Sequence, residues 1–294
     1  MADAAAIATA GAARPGGPST LRRLFSHRLF VTGIVLFGAM VAVAVFADLL
    51  ATHDPTRIRA RERFRGPSAA NFFGTDNFGR DVFTRVIYGS RVSLEIGFYT
   101  VVVTAICGTA AGAAAGYFRR LDEWVMRTMD ALMAFPSIML AIAITAALGP
   151  SKFNIVIALA FVYVPRTARI VRGSVLVVRE MDYVQAARTV GAGHGRILAK
   201  HVLPNCMAPL IVQLTFVFAY AVISEAVLSF LGMGPPPPTP TWGNVIAEGR
   251  DFIREAYWIT LFPGIAIAIT VLGLNLLGDG LRDVFDPRMK IQQG

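Results

Sequence analysis

Reactive and charged chemistry is scarce in this chain. Among 294 residues there are two cysteines, Cys107 and Cys206, and four histidines, His27, His53, His194 and His201. Neither set falls at metal-ligand spacing and no H-E-x-x-H pattern occurs, so no metal or zinc module is expected. The cysteines lie in or beside apolar segments and read as buried small hydrophobes. No Walker A phosphate loop is present, so the chain itself is not expected to bind ATP. No Ser-His-Asp or paired-carboxylate arrangement can be argued, which speaks against an enzyme. Only 16% of residues are charged while 55% are hydrophobic, too apolar for most soluble domains. The net charge of +9 shows no basic stripe interleaved with aromatics, so nucleic acid is not the expected partner.

Apolar runs dominate instead. Six of them, at 30–50, 93–117, 131–148, 153–171, 206–231 and 259–277, are read as membrane spans. At roughly 1.5 Å per residue, about 20 residues cross a hydrocarbon core of about 30 Å. The second run is rich in glycine and alanine from Gly108 to Gly116, which suits close helix packing. Pro136 predicts a kink in the third. The expected class is therefore all-α and polytopic. Residues 1–20, rich in Ala, Gly and Pro, read as a disordered cytoplasmic tail without a cleavable signal. Residues 21–50 hold the N-terminal segment and first span, 51–92 an extracytoplasmic loop, 93–281 the remaining five spans and 282–294 a second cytoplasmic tail. About 17 of the 28 Arg and Lys residues fall on the cytoplasmic side of this topology and about 11 outside. Eight arginines from Arg57 to Arg91 crowd the first outer loop against this bias, with Glu62, Asp76 and Asp81 as expected partial partners. Packing of Phe72, Phe73, Phe78 and Phe83 is expected to hold that loop more than charge does.

A basic island interrupts the apolar pattern at 180–205. Asp182 with Gln185 three residues on predicts a capping box. Val184, Ala187, Gly191, Ile197 and Leu198 can line one helical face. Gly191, Gly193 and Gly195 predict a bend between two short helices, and Pro204 the entry to the next span. Read without other information, this is either a plain basic loop or a docking element.

The spacing of Ala186, Ala187, Gly191, Leu203 and Pro204 resembles the EAA loop of ATP-binding-cassette (ABC) importer permeases, with Gln185 where that family has Glu and His201 where it has Ile. The resemblance implies a coupling helix that docks into a cleft of an ATPase subunit, carried here by Gln185, Ala186, Ala187, Gly191, Leu203 and Pro204. Two further stretches, G-T-D-x-x-G-R-D from Gly74 to Asp81 and LSFLGMGPPPPTPTWG ahead of the sixth span, resemble the C-type permease of dipeptide, oligopeptide and nickel importers. LRDVFDPR from Leu281 resembles that branch's tail. The implied fold is the type I ABC importer permease, with an outer segment at 232–258. The implied partners are a homologous second permease, two ABC ATPase subunits that bind ATP and Mg, an extracytoplasmic binding protein and membrane lipid, in a bacterial inner membrane with both termini cytoplasmic. Glu225 is the candidate substrate contact, against an interfacial carboxylate. Trp242, Tyr257 and Trp258 suit a membrane interface. An ion-gradient-driven secondary transporter is the alternative; it would want midplane carboxylates or an inverted repeat.

Overall fold

The computed structural model describes residues 20–285. The tail expected over 1–20, all but its last residue, and the end of the 282–294 tail lie outside them. The described residues form helices: α1 (Thr20–Ser26), α2 (Arg28–Val45), α3 (Ala47–Leu50), α4 (Val82–Tyr117), α5 (Arg119–Met133), α6 (Ser137–Leu148), α7 (Lys152–Val178), α8 (Asp182–Thr189), α9 (His194–Ile197), α10 (Leu203–Phe230), α11 (Trp242–Gly249) and α12 (Trp258–Phe285). Among them α2, α4, α7, the α9–α10 run and α12 are long and apolar enough to cross a membrane. The pair α5–α6 makes a sixth span when counted as one broken span.

That pair is the main departure from the expected spans. The kink anticipated at Pro136 is a break of 90°. Proline fixes its own φ, lacks an N–H, and pushes the residue before it out of the helical region. Pro136 therefore caps α6 with extended angles (φ −55°, ψ 126°). What remains, α6, is 12 residues long. The polar face of α5 is turned to the bundle by ion pairs from Asp122 to Arg172 and from Asp130 to Arg169.

The glycine-rich second span does pack closely. α4 lies along α7, and a Cβ added at Gly108 or Gly116 would come 2.8 Å from Thr167 or 2.7 Å from Val175. A side chain at either position would collide, so the absence of one lets the helices approach closely, and the resulting dispersion contacts substitute for a hydrophobic drive that lipid cannot supply. α2 rests on α12 in the same way, with Gly33 against Leu277.

At the end away from α8, Val82 starts α4 as one continuous helix of 36 residues, so the expected loop at 51–92 gives way to helix at its last turns. Asp81 caps that helix, accepting from Thr84 N–H (2.8 Å), and also accepts from Asn71 Nδ2 (2.8 Å). It does not neutralise an arginine as expected. Asp76 does, holding Arg80 Nε and Arg85 Nη1 at 2.7 Å each. The partner that sequence reading missed is Glu248 of α11, which accepts from Arg85 Nη1 (2.6 Å) and Nη2 (3.0 Å) and from Arg80 Nη2. Buried charge and aromatic packing thus share the work, since Phe73 also stacks on Phe262 at 3.8 Å and meets Phe83 edge-on. Nearby, Arg91 and Tyr88 bond to Asp48 and hold its carboxyl below the usual range. Trp242 and Trp258 are core residues rather than interface anchors. They are buried, and donate from Nε1 to Val86 O (3.0 Å) and Thr75 O (3.1 Å). Tyr257 is exposed. Of the cysteines, Cys206 is buried as expected, whereas Cys107 sits on an outward face of α4 and is exposed.

Candidate functional site

α8 is short because its end is written into Gly191. Gly191 has φ 81°, the left-handed region that glycine enters without a Cβ penalty. Its N–H donates to Arg188 O (2.9 Å) while Ala192 N–H donates to Ala187 O (3.0 Å). These two bonds are a Schellman motif, which satisfies the carbonyls a helix end leaves free. Gly193 then caps α9 in an extended conformation. The bend between two short helices is as the glycines predicted. Beyond it, Leu198–Val202 is a π-turn that runs into α10. Pro204, in the first turn of α10, has no N–H to return to the turn before it.

The capping box expected at Asp182 and Gln185 does not form. Met181 is the N-cap and no side chain caps it. Gln185 reaches back instead, its Nε2 donating to Arg179 O at 3.2 Å, the residue that closes α7. Arg179 is itself fixed by Gly116 O (2.6 Å) at the end of α4. Gln185 thereby ties the loop to the two spans that pack most closely.

The face predicted from spacing is the anchored one. Val184 and Ile197 are fully buried against Val171, Val175, Cys206 and Leu210, with Ala187, Leu198 and Leu203 partly buried beside them. Gly191 stands outside this face. Ala186, Gly191 and Pro204 are exposed. Val190, which sequence reading passed over, is 83% exposed at the tip. A lone valine among Thr189, Arg188 and glycines was the available signal. Beneath the tip, Tyr117 Oη lies 3.0 Å from His194 Nδ1 and Arg188 stacks over the Tyr117 ring. A cavity of about 710 Å³ opens beside the loop, with Arg119, Arg120, Arg179 and Arg188 around it. Glu180 also lines the cavity and pairs with Arg179 (2.9 Å), but cations outnumber it. The surface is therefore an apolar knob beside a net cationic cavity on an anchored mount, which suits a hydrophobic cleft with an acidic rim.

Glu225 is far from this loop, near the other end of α10. It is fully buried, with Ser229 Oγ donating to Oε1 (2.7 Å) and the hydroxyls of Ser93 and Thr241 close by. It thus joins α10 to α4 and to the outer segment, and it is not an interfacial carboxylate. Glu95 pairs with Lys152 (2.6 Å).

Charge also runs along one side of α7. Arg166, Arg169 and Arg172 follow one another at three-residue spacing along α7. Arg169 and Arg172 meet carboxylates of α5, each with a contact of 2.6 Å. Arg166 is exposed, sits near the middle of the 27-residue α7, and has no carboxylate partner among the described residues. Its guanidinium lies 6.0 Å from the Tyr220 ring, and a turn away Tyr163 Oη meets Ser224 Oγ at 2.8 Å. An arginine facing lipid within a span is costly, up to about 2.5–3.5 kcal/mol at the span's centre on insertion scales. This face of α7 and α10 is consequently one that water or a partner covers.

Comparison with known proteins places the chain among transporters. Residues 106–291 match the family of binding-protein-dependent transport system inner membrane components, and residues 19–67 match the N-terminal transmembrane domain of oligopeptide transport permease C. A protein described as a peptide transport system permease of Brucella abortus is 56% identical over 93% of this chain and 92% of its own length. The dipeptide transport system permease of Alkalihalophilus pseudofirmus is 46% identical over 92% and 89%. The di/tripeptide transport system permease of Pseudomonas aeruginosa is 43% identical over 93% and 94%.

Proposed function

The chain belongs to the family of binding-protein-dependent transport system inner membrane components, and from that premise we propose that it passes short peptides across a bacterial inner membrane. It is the membrane-spanning permease subunit of an ATP-driven importer and carries no ATPase site of its own. The relatives named for peptide, dipeptide and di/tripeptide transport support the peptide assignment. Its assembly comprises a homologous second permease, two ATPase subunits that bind ATP and Mg, and an extracytoplasmic binding protein that delivers the solute. Both termini and the α8–α9 loop face the cytoplasm.

The loop is the coupling element, and the observation that carries this is the exposed Val190 on a mount anchored by Val184 and Ile197. An apolar side chain held out in water gains by entering a partner's pocket; full burial of a valine is worth about 1.5–3 kcal/mol. The arginines around the 710 Å³ cavity add steering toward an acidic rim. Because α8 is tied to α4 and α7 through Gln185 and Arg179, motion of an ATPase cleft is delivered to the closest-packed pair of spans.

Val190→Asp and Ala186→Glu put a carboxylate into the docked face without touching an apolar span. Both variants should insert at wild-type amounts, lose most ATPase subunit on co-purification, and abolish ATP-dependent uptake of dialanine into proteoliposomes supplied with the binding protein. Wild-type co-purification in both would remove the coupling assignment. Uptake of glutathione or a nickel chelate in place of peptides by the unmodified importer would remove the substrate class alone.

A further inference from the structure

A second cavity, of about 490 Å³, opens between α7, α10 and α12. Its lining includes two guanidiniums, Arg166 and Arg282, the amide residue Gln213, and apolar walls such as Ile170, Val212 and Phe216. No carboxylate lines it, and neither arginine has a carboxylate partner among the described residues. Arg166 is the member of the α7 arginine row left over after Asp130 and Asp122 have taken Arg169 and Arg172. Among the described residues, the cavity lining therefore carries positive charge and no carboxylate to balance it.

We propose that this cavity is an anion station on the translocation path, where Arg166 and Arg282 receive the carboxylate of the solute on its way out. The inference rests on the peptide reading for the identity of the solute, since a peptide's C-terminal carboxylate is the anion at hand. The site's chemistry stands apart from that reading. An arginine on an exposed face of a membrane-spanning helix, with no carboxylate partner among the described residues, marks a face bordering water, and such residues mark substrate pathways. The planar guanidinium fork accepts a carboxylate in two-point fashion, which a bare ammonium does not. The apolar walls leave room for uncharged side chains of many kinds, so the station reads the one anionic group that all unmodified peptides share. With the α8–α9 loop cytoplasmic, Arg166 and Ile170 in the second half of α7, Ala208 in the second turn of α10 and Arg282 near the end of α12 place the station in the inner half of the path.

Ala208 lines the same cavity and is small, so Ala208→Cys introduces a thiol there with little disturbance. The assembled importer is made with Cys107 and Cys206 of this chain replaced by alanine. The thiol is then exposed to anionic sulfonatoethyl methanethiosulfonate and to cationic trimethylammonioethyl methanethiosulfonate, and modification of this chain is followed by mass. A focused positive field should favour the anionic reagent by about tenfold or more. Arg166→Gln should reduce that preference severalfold, Arg282→Gln should reduce it independently, and Arg166→Lys should keep most of it. In the same preparations, Arg166→Gln should slow uptake of trialanine while co-purification of the ATPase subunits stays normal. A thiol that neither reagent reaches means that lipid or the second permease fills the cavity, and overturns the proposal. So does a preference unchanged by both glutamine variants. If the unmodified importer takes up no peptide yet its reagent preference depends on Arg166, the peptide reading falls and the anion station stands.

Discussion

At the scale of single residues, Gly191 concentrates the most consequence in the least matter. Its φ of 81° is what lets α8 stop after eight residues. A Cβ built on it meets nothing within 4 Å inside the chain, so the cost of replacing it is backbone strain, about 1–3 kcal/mol. Gly191→Val should leave the amount of inserted protein normal, with little ATPase association and no transport. Asparagine tolerates left-handed angles, so Gly191→Asn should retain most ATPase co-purification if strain is the whole cost, and lose it if the partner's surface presses on that spot. Comparing the two variants by co-purification and uptake separates backbone from contact. Much of this site could be read in the sequence. The glycine spacing announced the bend, and the apolar spacing of Val184, Ala187, Ile197 and Leu198 announced the buried face. Val190 was passed over because periodicity rewards residues that repeat, whereas a docking knob is a single residue out of phase. The capping box failed for a different reason: Gln185 had a better carbonyl to satisfy, at the end of a helix that precedes it.

At the scale of elements, local chemistry was legible and distant pairing was not. The stripe Gly108, Gly112 and Gly116 recurs every four residues, so one helical face is fixed by the sequence of α4 alone. Pro136 likewise announced its bend, though not the angle, which depends on the ion pairs that hold α5 against α7. The arginines of the first outer loop could not be balanced from their own neighbourhood, because Glu248 lies 163 residues beyond Arg85. The tryptophans were misassigned on the same account, since composition does not separate an interface anchor from a core side chain whose N–H finds a carbonyl. The cluster of Asp76, Arg80, Arg85 and Glu248 fastens the 51–81 segment to α11, and Arg85 is only 2% exposed there. Glu248→Gln leaves two buried guanidiniums on one carboxylate. The expected loss is about 3 kcal/mol, toward the low end for breaking a buried pair because Glu248 is 24% exposed. Limited proteolysis of the assembled importer should show faster cleavage in the 51–81 segment with α8 unaffected. Unchanged protection would mean that Phe73 stacking on Phe262 alone holds the segment.

At the scale of the whole molecule, the bundle has two working ends joined by the α4–α7 pair. One end presents Val190, and the other presents the lobe built from the 51–81 segment and α11. The proposed topology puts these ends on opposite sides of the membrane. Reporter cysteines placed one at a time in the background lacking Cys107 and Cys206 check it: Thr239→Cys should react with an impermeant thiol reagent in intact cells, and Gly193→Cys only after permeabilisation. The reverse pattern would invert the protein and with it the assignment of the loop. The lobe also has a place in time. Arg85 leaves the ribosome 163 residues ahead of Glu248, and at 5–20 residues per second that is an interval of about 8–30 s. Throughout it, one carboxylate at Asp76 must serve two guanidiniums, and the lobe cannot close. Closure becomes available only once α10 has been synthesised and α11 follows it. The charge cluster is therefore completed late in synthesis, because a chain stalled before α11 lacks the carboxylate that Arg80 and Arg85 share with Asp76.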